Sequence, residues 1–193
     1  MRLGGWLVLA TIASGCVMAS PPDHFYRLSA GAPGQPLARR RLQGTIEVAA
    51  FKASGLLNER ALLYVEEAHP AELHQQRYGY WTDTPARLLQ EELVRFLRAA
   101  NVATAVVLPQ AGARAEYIVS GRIERLERVI GANDSTASIE LELGLRRVTG
   151  EVVHIGFYRA DERIEKNTDA ATVEAFNRAL GLVYAQFLAD IAS

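Results

Sequence analysis

Cysteine is nearly absent: the 193 residues hold one, Cys16. A single thiol can neither close an intramolecular disulfide nor build a multi-cysteine zinc site. Lysine is almost as scarce, with only Lys52 and Lys166 among 21 basic side chains. Neither sign of charge dominates, since 22 acidic residues leave a net charge of −1. That removes the basic excess a nucleic-acid binder uses to neutralise phosphates. No apolar run approaches the roughly 20 residues needed to cross a bilayer as a helix. The P-loop, GxGxxG, GxSxG and HExxH patterns are all missing. There is no internal repeat and no low-complexity segment. What is present is 49% hydrophobic content, too much for a disordered chain, at a length that suits one domain.

The lone cysteine ends a recognisable stretch. Met1-Arg2 is followed by the apolar run Leu3–Ile12 and then by Ala13-Ser14-Gly15-Cys16. A basic start, a short apolar run and a small-residue exit is the layout of a secretory signal peptide. The exit resembles a bacterial lipobox, in which the cysteine is lipidated and becomes the first residue of the mature chain. Ala13 stands where leucine is usual. The alternative is an ordinary signal cut near Ala19, with Cys16 discarded. On the lipobox reading, residues 1–15 are the signal peptide, 16–23 a tether and 24–193 one periplasmic domain. A diacylglyceryl group plus an N-acyl chain such as palmitate on Cys16 would anchor it where a single acyl chain could not. Val17 and Met18 follow, without the aspartate that retains enterobacterial lipoproteins at the inner membrane, so the resemblance implies delivery to the outer membrane.

Along the domain, His24–Leu28, Thr45–Ala49, Arg60–Val65 and Tyr78–Trp81 read as short strands, with residues 29–43 a Gly/Pro/Arg-rich loop. A helix starts at Thr84-Pro85, carries Leu89, Leu93, Phe96, Leu97 and Ala100 on one face, and ends near Asn101. Ala103–Leu108 is a strand. Tyr117, Val119, Gly121 and Ile123 share a face, and a parity change through Leu126 and Val129 predicts a bulge. Ile139, Leu141, Leu143 and Leu145 alternate with polar residues. After a Thr149-Gly150 turn, Val153, Ile155 and Phe157 alternate again, which leaves His154 on the solvent side. A closing helix from about Asp169 bears the stripe Val173, Phe176, Leu180, Val183, Tyr184, Phe187 and Leu188. The predicted fold is α+β: a mixed, largely antiparallel sheet packed against two main helices.

Nothing in this pattern proposes a reaction. His69 and His74 lie five apart across Pro70 and read as surface loop residues, so no metal site and no cofactor is expected. Glu66-Glu67 and Asp161-Glu162 are adjacent on strands and point to opposite faces. The run Arg39-Arg40-Arg41 could touch anionic head groups, although a solvated loop suffices to explain it. The expectation is a protein without catalytic residues.

Several segments in order carry a family likeness: the aromatic strand His24–Leu28 soon after the cysteine, Ile46-Glu47-Val48 with Phe51, Asn58–Tyr64, Tyr78-x-x-Trp81-x-x-x-Pro85 leading to Leu88, Leu89 and Leu93, and Tyr117–Gly121 with the closing helix. Together they resemble the ABC-type transport auxiliary lipoproteins, the PqiC-like family, over essentially the whole mature chain. The resemblance implies a non-catalytic domain at the periplasmic face of the outer membrane. It would serve a transporter of the mammalian-cell-entry (MCE) type that moves lipids or other hydrophobic molecules between membranes. The implied partners are a periplasm-spanning MCE protein and further copies of this chain in a ring. Candidate partner contacts are Arg77, Tyr78, Tyr80 and Trp81, whose composition is that of interface cores. Tyr80 and Trp81 would alternatively plug the sheet beneath the first helix. Two other functions compete: an assembly factor for an outer-membrane barrel, and a periplasmic carrier with its own ligand cavity.

Overall fold

The computed structural model describes residues 20–193. Eight strands form one sheet: β1 (His24–Tyr26), β2 (Leu42–Val48), β3 (Ala61–Glu66), β4 (His69–Trp81), β5 (Ala103–Val107), β6 (Tyr117–Ile130), β7 (Ser135–Arg147) and β8 (Val152–Arg163). Two helices, α1 (Pro85–Ala99) and α2 (Asp169–Ala192), pack on it.

Strand β6 organises the sheet. One of its sides pairs antiparallel with β7 along its whole length, from Tyr117↔Arg147 to Ile130↔Ser135. Its other side is shared, because β2 pairs parallel with its first residues (Ile46↔Tyr117) and β3 with its last (Tyr64↔Arg128). From there β5 extends β2, β4 and β1 extend β3, and β8 extends β7. Parallel pairs are the more numerous, but the long ladders, β6–β7 and β7–β8, are antiparallel. The sheet is therefore mixed and curled, and β1 and β8 are the two edges of a continuous six-strand path. The α+β expectation holds.

Both helix starts and the end of α1 have local reasons. Pro85 opens α1, where a missing amide costs nothing. The helix stops at Asn101, whose left-handed φ of 55° its amide side chain supports by donating to the Leu37 carbonyl at 2.9 Å. Helix α2 is capped by Thr168, whose hydroxyl accepts from the Ala171 amide at 3.2 Å. Between the helices lies the core. Tyr184 donates from its buried hydroxyl to the Leu89 carbonyl at 2.7 Å, Phe96 packs edge-on against Tyr184, and Phe176 against Trp81. Gly181 lets the chain after β1 cross α2 closely, because a Cβ there would lie 2.8 Å from the Ala30 carbonyl oxygen.

Three sequence expectations are corrected. His69 and His74 are strand residues: β4 runs thirteen residues from His69, not only Tyr78–Trp81. It accommodates this length with two register shifts against β3, one between Ala61 and Leu63 and one between Tyr64 and Glu66. The β6 bulge exists, between Ile123 and Arg125, but after it Leu126 and Arg128 are the buried residues and Val129 belongs to the other row.

The third correction is in β8. His154, Gly156, Tyr158 and Ala160 lie directly opposite Leu145, Leu143, Leu141 and Ile139. Residues paired across a ladder share a face, so the core row of β7 carries His154 and Tyr158 inward and leaves Val153, Ile155 and Phe157 outside. Gly156 permits this arrangement, since a Cβ would stand 2.6 Å from the Tyr158 hydroxyl that lies over it.

Candidate functional site

The four residues singled out on β4 do not form one surface. Trp81 is 1% exposed and meets Phe176 at 5.6 Å between ring centroids, so it belongs to the core. It lies against α2. Tyr80 is half-buried and stacks on the exposed Phe25 of β1 at 5.8 Å, with the Arg60 guanidinium 5.4 Å over the Phe25 ring. Its hydroxyl donates to the Arg77 carbonyl at 2.7 Å. Phe25, Arg60 and Tyr80 line a shallow cleft of about 380 Å³. Arg77 and Tyr78 line a different one, of about 600 Å³, together with Tyr64 and Arg128. The register shift within β4 separates the two groups by re-aiming its side chains.

A second surface was hidden by the inverted face of β8. Val153, Ile155 and Phe157 are 42%, 56% and 70% exposed in a row along a strand whose outer edge has no partner strand among the described residues. From Val152 to Tyr158 this edge carries no acidic residue, arginine, lysine or proline. Such an edge, left bare, is a template for pairing with another chain. Beyond Phe157 the same row becomes charged, with Arg159 bonded to Asp161 at 2.9 Å.

The inner side of β8 holds a polar trio. Tyr158 donates to Asp190 at 2.7 Å, and His154 Nε2 lies 2.6 Å from the Tyr158 oxygen. Because the hydroxyl proton is committed to Asp190, Nε2 is the donor in that contact. Burial, with Asp190 alongside, pushes the Tyr158 phenol far above its usual range. A phenol held protonated in this way is a strut tying the end of α2 to β8, and it offers no base or nucleophile.

Arg128 was missed by the sequence reading. It continues the buried row of β6 after Leu126 and is 9% exposed. Its Nη2 donates to Asn167 at 2.6 Å and to Ser135 at 3.3 Å, while Nε is buried without a partner. No sequence signal could have found it, since an arginine in a strand is ordinarily assigned to the solvent face. Elsewhere His69 and His74 contact Glu66 and Glu72 singly, at 3.7 and 3.8 Å, and Arg39, Arg40 and Arg41 are exposed. No cluster of three or more metal-ligating side chains occurs among the described residues. No helix among them is long and apolar enough to cross a membrane. Cys16 lies outside the described residues.

Three comparisons bear on this arrangement. The family model described as "ABC-type transport auxiliary lipoprotein component" matches residues 26–189. A comparison with curated proteins gave no match. Among solved structures, the chain is similar to protein XCC0632 from Xanthomonas campestris, at 20% identity over 86% of this chain and 93% of that one, with a TM-score of 0.76. It is also similar to an uncharacterized protein at 14% identity over 89% and 97% of the two chains, with a TM-score of 0.65. At these identities both likenesses concern the fold.

Proposed function

The chain belongs to the family of ABC-type transport auxiliary lipoprotein components, and on that premise we propose that it is a non-catalytic docking piece. It is tethered through lipidated Cys16 at the periplasmic face of the outer membrane, as a ring of identical subunits. It receives the periplasm-spanning protein of an MCE-type transporter that moves lipids or other hydrophobic molecules.

The observation that carries this reading is the pair of apolar edges. Phe157, Ile155 and Val153 lie on β8 at one end of the six-strand path, and Phe25 with Tyr80 lies at the β1 end. Two different sticky surfaces at opposite ends of one sheet suit a head-to-tail contact, which closes into a ring when the rotation allows. The charged row after Phe157 limits how far a neighbouring strand can slide along the edge.

The test uses the full chain purified from membranes in a nonionic detergent. Native mass spectrometry is expected to show a closed oligomer, and Phe157→Glu to reduce it to a monomer. An aromatic anchor at an interface centre is worth about 2 kcal/mol or more, and every contact in a ring repeats the loss. Thermal stability of the monomer should change little, since the Phe157 ring is mostly in solvent. A monomeric unmodified protein, or an oligomer indifferent to Phe157→Glu, contradicts the ring.

Affinity capture from membranes tests the partner separately. An MCE protein recovered with the full chain supports the assignment, and recovery of a barrel protein alone overturns it.

A further inference from the structure

Two charged side chains are buried among the described residues, and they are treated differently. Glu92 is paired with Arg95 and accepts from the Ala30 amide. Arg128 faces no carboxylate within ion-pair reach: its partners are the neutral Asn167 and Ser135, and its Nε has none. A buried guanidinium without a counter-charge is costly to keep, and natural proteins ordinarily pair such groups.

Arg128 also lines open space on two sides. It forms part of the wall of the 600 Å³ cleft with Tyr64, Gln75, Arg77 and Tyr78, and of an adjoining cleft of about 310 Å³ near Arg163. The cleft ends at the start of the 24-residue helix α2, whose amino-terminal dipole favours negative charge. Glu66 and Asp169 line it too, but Asp169 is already engaged by the Gln76 amide at 2.6 Å.

We infer that this cleft binds a phosphate group, with the Arg128 guanidinium as its counter-charge. A guanidinium presents several donors in a rigid fork that matches phosphate and carboxylate oxygens. Arg77, the Tyr64 and Tyr78 hydroxyls and the Gln75 amide are further donors on the same walls. That many donors on the walls of one cleft suits a tetrahedral oxyanion with three or more acceptor oxygens better than a planar carboxylate with two. The phosphate could come from a lipid headgroup or from free phosphate, and both offer the same chemistry to Arg128. Gln75 lines both this cleft and the one at the β1 end, but Arg128, Tyr64, Arg77 and Tyr78 do not line the latter, so failure at these residues leaves the docking role untouched, and the reverse.

The experiment titrates the full chain, in nonionic detergent, with inorganic phosphate and with dihexanoyl phosphatidylglycerol against sodium chloride at equal ionic strength. Calorimetry and melting temperature are the readouts. At least one probe should bind and raise the melting temperature. Binding of phosphate shows that the bare anion suffices, whereas binding of the lipid alone assigns the site to a headgroup. Arg128→Met should weaken that binding roughly tenfold or more, the worth of one charge-assisted bond. The same variant should melt no lower than the unmodified protein without ligand, because a buried unpaired charge has been removed. Should it not fold, Arg77→Ala and Tyr64→Phe carry the test, and at least one must weaken binding. No binding of either probe, or binding unchanged in the variants, overturns the proposal.

Discussion

Trp81→Ala is expected to destabilise the domain by about 3–5 kcal/mol, the cost of emptying a large aromatic site in a packed core. For a chain of this size that is a fall of roughly 6–20 °C in melting temperature. The expectation rests on 1% exposure and on the edge-on packing against Phe176, which joins β4 to α2. The backbone bonds of residue 81, its carbonyl accepting from Arg60 Nε at 3.1 Å and its amide donating to the Arg60 carbonyl, survive the substitution, so the loss is that of the ring. Trp81→Phe separates this role from a partner contact. It keeps an aromatic ring on Phe176 and should leave oligomerisation and partner capture unchanged. Within residues 20–193 Trp81 is the only tryptophan, so its emission should be blue and protected from aqueous quenchers. A red-shifted, readily quenched signal, or a variant that melts within 2 °C of the unmodified protein, would show the assignment to be wrong.

Above about pH 10, stability should fall steeply, chiefly through Tyr184 and Tyr158. Burial, reinforced by Glu92, raises the Tyr184 phenol well above its ordinary value of 10.0. Burial and the bond to Asp190 raise Tyr158. Burial and Asp169 raise Tyr26 in the same direction. In the unfolded chain these phenols release their protons near pH 10, while the folded chain retains them. The native state then binds more protons than the unfolded one, so unfolding becomes easier with each further pH unit. Below pH 10 the contribution is fully present. Each retained proton lowers stability by about 1.4 kcal/mol per pH unit, so Tyr184 and Tyr158 together give about 2.7. Lysine adds little to this region, with only Lys52 and Lys166 in the chain. Denaturant titrations between pH 9 and 12 read the slope directly. Tyr184→Phe should remove about half of it, after a loss near 1 kcal/mol for the bond to Leu89. A flat profile above pH 10 would contradict this account.

The elements that were legible in the sequence are those whose side chains repeat without interruption. In β7, Ile139, Leu141, Leu143 and Leu145 alternate cleanly and every one is buried. In α1, Pro85 and the spacing of Leu89, Leu93, Phe96 and Leu97 were enough to set the helix, and in α2 the aromatic and aliphatic stripe did the same. The order of family-like segments was also legible, because the core positions it tracks are contiguous along the chain.

The elements that misled are those where pairing overrides local pattern. The tip Val148–Val152 and the shift between Leu145 and Arg146 change the parity of β8, and no property of its own sequence records that change. The apolar alternation at Val153, Ile155 and Phe157 looked like an inward face and is an outward one. In β4 the register shifts hide a thirteen-residue strand that Pro70 and two histidines made look like a loop. The same shifts place Arg77 and Tyr78 in one cleft and Tyr80 in another, and send Trp81 into the core.

By itself, the sequence determined the fold class, the helices, the core strands and the family, because each follows from residue spacing and from core positions in a fixed order. It determined equally that Cys16 stands alone after a short apolar run. Only the tertiary structure decided which surfaces are available. Long-range strand pairing settles whether an alternating row faces the core or the solvent, and the neighbours of a buried side chain settle whether its charge is compensated. Phe157 is exposed because its ladder partner is Glu142, on the outward row of β7, while Leu141 and Leu143 carry Tyr158 and Gly156 inward. Arg128 lacks a counter-charge because its guanidinium meets Ser135 at the start of β7 and Asn167 just before α2, while the carboxylates on the cleft wall, Glu66 and Asp169, stand outside ion-pair reach.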